Sequence, residues 1–220
     1  MDLNTLLKSA NIEPAQVAQF DINAAARLDL SKDNETLQQI DLNNANDFCG
    51  FINQQITAQG AYVGWGGYRE ERGLYSRSEL FEEEEPRTIH LGIDIWTVAG
   101  TPVYAPLDAT VHSFANRDVH GDYGPVIILK HEVNGTEFHT LYGHLSTESL
   151  DGLNVGQSIK QGEQFASLGK YEENFHWPPH LHFQVIIDMQ GMEGDYPGVC
   201  RKSESEYFFA NCPDPYVFVA

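Results

Sequence analysis

Basic residues are scarce in this chain. There are 13 lysines and arginines against 32 aspartates and glutamates, giving a formal net charge of −19. Such a charge repels a duplex phosphate backbone and an anionic membrane surface, so nucleic acid is excluded as an expected partner. No run approaches the roughly 20 apolar residues that a membrane span needs, so no membrane span is expected. The first residues, MDLNTLLKSANIEP, lack a basic region followed by a long apolar one and do not read as a secretory signal. A cytoplasmic protein is the expectation from this, with a periplasmic or exported location if the chain is a mature form. Cysteine is also sparse: Cys49, Cys200 and Cys212 are widely spaced and form no CxxC pair. A thiolate zinc site is therefore not expected, and reduced thiols are the simplest reading, with a Cys200–Cys212 bridge as the alternative. No HExxH motif occurs, so no motif glutamate serves as a metal-site base.

What remains is ordinary globular material. Hydrophobic residues make up 41% and charged residues 20% of 220 positions, enough for one substantial core with an appendage. Residues 1–60 are rich in Ala, Asn, Gln, Leu and Asp. Leu3, Leu6 and Leu7 recur at helical spacing, as do Phe48, Ile52 and Ile56 ahead of Gly60. This predicts an N-terminal region of short helices, the last from about Ala45 to Ala58, packed on the main domain. From Ala61 glycines and aromatics become frequent. Glu82 to Glu85 form a short acidic run, read as a solvated loop. Short β-type runs then alternate with turns: TPVYAP, ATVHSF, PVIILKHEV, TEFHTLYGHL, EQFASLG and HLHFQVII. The fold class expected is mainly β, an antiparallel sandwich or barrel over residues 61–190, with a tail over 191–220 packed against it. AGTPVYAPLDATV and VGQSIKQGEQFASLG both read as Gly, strand, turn, strand, a weak internal repeat.

Nine histidines are present, clustered between positions 90 and 182. His90 and Asp94 are four apart, so in an extended chain they share a face, and Gly92 between them leaves that space empty. His180 and His182 are two apart on a β-type run, so both imidazoles face one way while Leu181 and Phe183 face the core. Pro178 and Pro179 fix the entry to that strand. Two imidazoles and one carboxylate suit zinc, with a fourth position open to water. Either member of the His180/His182 pair could be the second imidazole ligand. His144 lies on a β-type run, expected to share a face with Tyr142 and Thr140. It and the remaining histidine of the HLH pair are candidates to move protons near neutral pH. His112, His120, His131, His139 and His176 are expected on loops or sheet surfaces, with His176 close enough in sequence to line the cleft.

HLGIDI, YGHLS and PPHLHF resemble, in order and spacing, the HxxxD, intermediate-histidine and HxH motifs of the lysostaphin-type (LytM-like) zinc metallopeptidases. The two repeat-like stretches and GDYGPVIILKHEV resemble the framework of the same family, so the likeness covers roughly residues 87–187. It implies a duplicated hybrid β-fold, one zinc ion on His90, Asp94 and His182, and a catalytic pair of His144 and His180. It also implies cleavage of a peptide amide bond, in peptidoglycan or a peptide derived from it. Two other classes share this fold. A phosphocarrier module would use His144 and His180 for phosphohistidine chemistry, and a non-catalytic module would lack metal-dependent turnover. The intact His-Asp-His set argues against both. A biotinyl or lipoyl carrier lacks its lysine at the corresponding hairpin. Oligomeric state is not written in the sequence.

Overall fold

A computed structural model describes residues 2–42, 44–73, 85–117, 122–174 and 177–220. His120, His176 and most of the Glu82–Glu85 run lie outside these residues. The fold is organised by one large sheet. In chain order its members are β1 (Ala26–Arg27), β2 (Gly64–Gly66), β4 (Ile93–Trp96), β6 (Ala109–Arg117), β7 (Gly124–Val133), β8 (Thr136–Gly143), β9 (Ser158–Ile159) and β11 (His180–Ile186). Across the sheet the order is β1-β2-β4-β11-β8-β7-β6-β9. All neighbours are antiparallel except β1 and β2. Two small sheets flank it. One pairs β5 (Pro102–Tyr104) with β10 (Gln164–Ser167), and the other pairs β3 (Ile89–His90) with β12 (Val199–Cys200). The architecture is mainly β, as the alternating runs predict.

The run PVIIL explains why this sheet lies at the centre of the molecule. Side chains alternate along β7, so Ile127 and Leu129 enter one core while Val126 and Ile128 enter another on the opposite face. A strand covered on both faces has no solvated positions and reads as a continuous apolar run. The first core also holds Leu181, Phe183 and Val185 of β11 together with Leu3, Leu7 and Phe218 from the two ends of the chain. The second holds Ile89, Leu91, Tyr196, Cys200 and Cys212. None of the three cysteines is joined in a disulfide, and burial pushes the Cys200 and Cys212 thiols up to about 12. The repeat-like stretches meet across the molecule: β5 pairs with β10, and β6 with β9.

The N-terminal region contains α1 (Leu3–Ala10) and α2 (Ala45–Ala58). Asp2 caps α1 by accepting from the Thr5 N–H, and Asn44 caps α2 by accepting from that of Asn46. Among the described residues between the helices lie a 3-10 turn and β1 instead of further helix, and β1 joins the sheet edge. Phe48, Phe51, Ile52 and Ile56 of α2 form a third core with Leu28, Leu30, Trp96 and Trp177. Residues 205–211 at the other end form α3 (Ser205–Asn211). Among the described residues no helix is long and apolar enough to cross a membrane.

His131 and His139 depart from the expected surface placement. Both lie on central strands of the sheet and are buried. His131 Nδ1–H donates to the Asp108 carbonyl, and its Nε2 lies 2.7 Å from the Thr140 hydroxyl. Those partners make an interior position tolerable, which the residue type alone does not announce.

Candidate metal and catalytic centre

The centre is assembled by strand register. On β4 and β11, Asp94 lies directly opposite His182, and Trp96 opposite His180. Leu181 and Phe183 alternate to the core behind them. His90 comes from β3, in a different sheet, because the run HLGID is not one continuous strand: it breaks at Leu91 and Gly92. The two halves still converge. Gly92 supplies the room, since a Cβ there would lie 2.6 Å from the Phe183 carbonyl oxygen and 2.9 Å from the His182 ring.

His90 Nε2 and His182 Nδ1 are 3.0 Å apart, and Asp94 Oδ1 lies 3.3 Å from the first and 3.2 Å from the second. The outer ring nitrogens are already committed. His90 Nδ1 donates to the Gly67 carbonyl at 3.0 Å, and His182 Nε2 donates to Gln184 Oε1 at 3.0 Å. Gln184 is itself oriented, with its amide nitrogen donating to the Pro197 carbonyl at 3.1 Å. The inner ring nitrogens, His90 Nε2 and His182 Nδ1, therefore turn to the same point as a carboxylate oxygen. Two imidazole nitrogens and a carboxylate oxygen buried together on one point are a donor set suited to a cation. Protonating His90 is not the remedy at neutral pH. Burial, reinforced by Arg72, depresses His90 to about 4 despite Asp94. Burial alone would raise the Asp94 carboxyl, but the neighbouring His90 and Arg72 hold it well below the usual carboxylate range. Tetrahedral ligands at zinc distances sit about 3.3 Å apart, which these three donors match. Among the described residues, His90, Asp94 and His182 form the group able to hold a metal ion.

His144 and His180 lie beside this group, their ring centroids 4.1 Å apart. His144 reaches it by an unexpected route. Tyr142 faces the first core, opposite Phe183, so simple alternation would bury His144 there too. Instead β8 ends at Gly143, and His144 takes a left-handed φ of 61° that turns its side chain to the other face. It does not share a face with Tyr142. Its backbone is pinned on both sides, the N–H to the Tyr123 carbonyl and the carbonyl to the Gly169 N–H. Burial, with His180 and His182 nearby, lowers His144 well below the usual histidine value. Burial likewise brings His180 to about 4. His180 Nδ1–H donates to the Pro178 carbonyl at 2.8 Å, leaving Nε2 bare. Its ring stacks on Trp96 at 4.0 Å, and Phe48 of α2 packs edge-on against that indole.

These five residues line one cavity of about 370 Å³. The motif residues singled out in the sequence are thus brought together. Supporting residues were not legible there: Gly67, Arg72, Trp96 and Gln184. Gln184 and Trp96 had a usable signal, because each follows a ligand, His182 or Asp94, by two on the same strand and so shares its face.

Residues 88–193 match the family model described as Peptidase family M23. A Haemophilus influenzae protein described as an uncharacterized metalloprotease is 38% identical over 99 residues, covering 45% of this chain and 19% of that protein. The chain thus aligns with about a fifth of the length of that relative. Among solved structures, a zinc containing peptidase from Vibrio cholerae is 29% identical with a TM-score of 0.33, covering 44% of this chain and 27% of that one. The lysostaphin catalytic domain from Staphylococcus simulans is 23% identical with a TM-score of 0.38, covering 55% and 80%. Residues 88–193, just under half of the chain, thus carry a peptidase M23 domain of the LytM/lysostaphin type.

Proposed function

We propose that this chain is a zinc-dependent metallopeptidase that cleaves an amide bond in a peptide, peptidoglycan-derived peptides being the first candidates. The observation that carries this is the convergence of three buried ligand atoms, His90 Nε2, Asp94 Oδ1 and His182 Nδ1, within 3.3 Å of one another. Two imidazoles and one carboxylate are a zinc donor set that leaves a position open, which suits a catalytic site better than a structural one. When bound, zinc supplies a Lewis acid for the scissile carbonyl and acidifies water. The protein's own residues handle the proton. His144 and His180 are held neutral at pH 7 by burial, so either ring can accept a proton from water. The two rings are in contact, and the one that takes the proton can return it to the departing amine. The phosphocarrier alternative is not favoured, because this pair adjoins a complete metal-ligand set.

The test is to load the purified chain with one equivalent of zinc. It is then incubated with peptidoglycan and a peptide library and read by mass spectrometry. His144→Ala should keep its metal and lose about 10²- to 10⁴-fold in kcat/KM. Asp94→Ala and His182→Ala should lose metal and activity together. Full turnover by His144→Ala would remove it from the proposed role. Absence of stoichiometric zinc uptake by the unmodified chain would remove the metallopeptidase reading.

A further inference from the structure

The Asp94 carboxylate uses its two oxygens differently. Oδ1 faces His90 and His182, while Oδ2 accepts a 2.6 Å hydrogen bond from Arg72 Nη1. The same guanidinium donates through Nε to Glu70 Oε2, also at 2.6 Å. The other oxygen of Glu70 accepts from the Leu30 N–H at 3.0 Å. Arg72 is 3% exposed. Leu30, Glu70 and Arg72 all precede residue 88, where the match to the peptidase family begins. We propose that Arg72 is a positioning residue of the metal centre. By gripping Oδ2 it presents Asp94 to the cation through Oδ1 alone, and with Glu70 it makes the segment before the peptidase domain part of the metal site. This rests on the reading of His90, Asp94 and His182 as metal ligands.

Three physical arguments support the assignment. The terminal torsion of an aspartate is broad, so an unheld Asp94 could offer one oxygen or both. A short charge-assisted bond to Oδ2 removes that freedom. Second, only a guanidinium fork spans two carboxylates in this way, because its planar donors point in fixed and different directions. Third, the segment is built to hold this arginine beside the ligands. Arg69 N–H donates to the His90 carbonyl, His90 N–H to the Glu70 carbonyl, and Arg72 N–H to the Thr88 carbonyl. The strand that carries a ligand is thus in register with the segment that carries the arginine. Gly67 clears the way, since a Cβ there would collide with the guanidinium and with His90 Nδ1. The charges are balanced too. Arg72 alone would cancel the negative charge the cation needs, and Glu70 restores it, leaving the trio at one net negative charge.

The test uses the full chain and the variants Arg72→Gln, Arg72→Lys and Glu70→Gln. Zinc affinity is measured by chelator competition, the visible spectrum is recorded after loading with Co²⁺, and circular dichroism reports folding. Arg72→Gln should weaken zinc binding by about 10- to 100-fold. It should also shift and weaken the Co²⁺ bands as Asp94 engages both oxygens. Arg72→Lys keeps the charge but cannot bridge both carboxylates, so it should show the same spectral change to a lesser degree. Glu70→Gln leaves Arg72 on Asp94, so its spectrum should be unchanged while its affinity falls. Unaltered Co²⁺ spectra and zinc affinities in both Arg72 variants would overturn the assignment. So would failure of both to fold with and without metal, which would make the arginine structural only. If the unmodified chain takes up no metal, the underlying metal-site reading fails instead.

Discussion

Burial lowers His90, His131, His139, His144 and His180, and the effect is separable at His131. That ring lies away from the metal centre, and burial brings it to about 4. In the unfolded chain the same group titrates at about 6.5. Between these values the unfolded state binds a proton that the folded state refuses, so stability falls as pH drops from about 6.5 towards about 4. Above that window His131 contributes no pH dependence, and below it the loss is complete. The slope is about 1.4 kcal/mol per pH unit for one proton. Denaturant unfolding at pH 7 and at pH 5 should therefore show a smaller drop in His131→Gln than in the parent, by roughly one proton's worth. An identical drop in the two proteins would mean that His131 is charged, or accessible, in the fold.

At the level of elements, what was legible depended on whether the signal was periodic. The β-runs from Pro102 onward and the helix Ala45–Ala58 were readable because alternation and 3.6-residue spacing leave a trace in residue order. So was the placement of His180 and His182 on one face with Leu181 and Phe183 on the other. The joint between β3 and β4 was not. Sequence spacing makes HLGID one extended strand, yet the chain changes sheet inside it. The turn of His144 was equally hidden, because only a left-handed φ takes it out of the alternation set by Tyr142. Arg72 was hidden for another reason: in YREERG nothing distinguishes a buried arginine from a solvated one. Gly92 allows a test of the β3–β4 joint. A methyl there meets backbone of β11 and the His182 ring, neither of which is the loose end of a flexible chain. Gly92→Ala should lose about 1–3 kcal/mol of stability through overpacking and weaken metal binding by moving His182 away from Asp94. Denaturant curves and chelator competition measure the two effects. A variant as stable and as metal-tight as the parent would show that β4 and β11 can part without disturbing the centre.

For the whole molecule, the position of the centre matters more than its size. Ile93 and Leu181 behind it belong to the first core, Leu91 beside it to the second, and Trp96 under His180 to the third. A cation there is held by strands that join all three, so occupancy and folding should be linked. Without it, the three buried ligand atoms have only one another as partners, and a buried polar group left short of a good partner costs about 1–3 kcal/mol. The chain also carries −19, a self-repulsion that a buried dication reduces. An ion that binds only the folded state stabilises it by about 2.7 kcal/mol at 100 times its dissociation constant. For a chain of this size that corresponds to a rise on the order of 5–10 °C in Tm. Exhaustive chelation should therefore lower Tm by this amount in the parent, and readdition of zinc should restore it. In His182→Ala, neither treatment should matter. A parent whose Tm ignores both chelator and zinc would mean that the three cores hold the acceptors together without help from a cation.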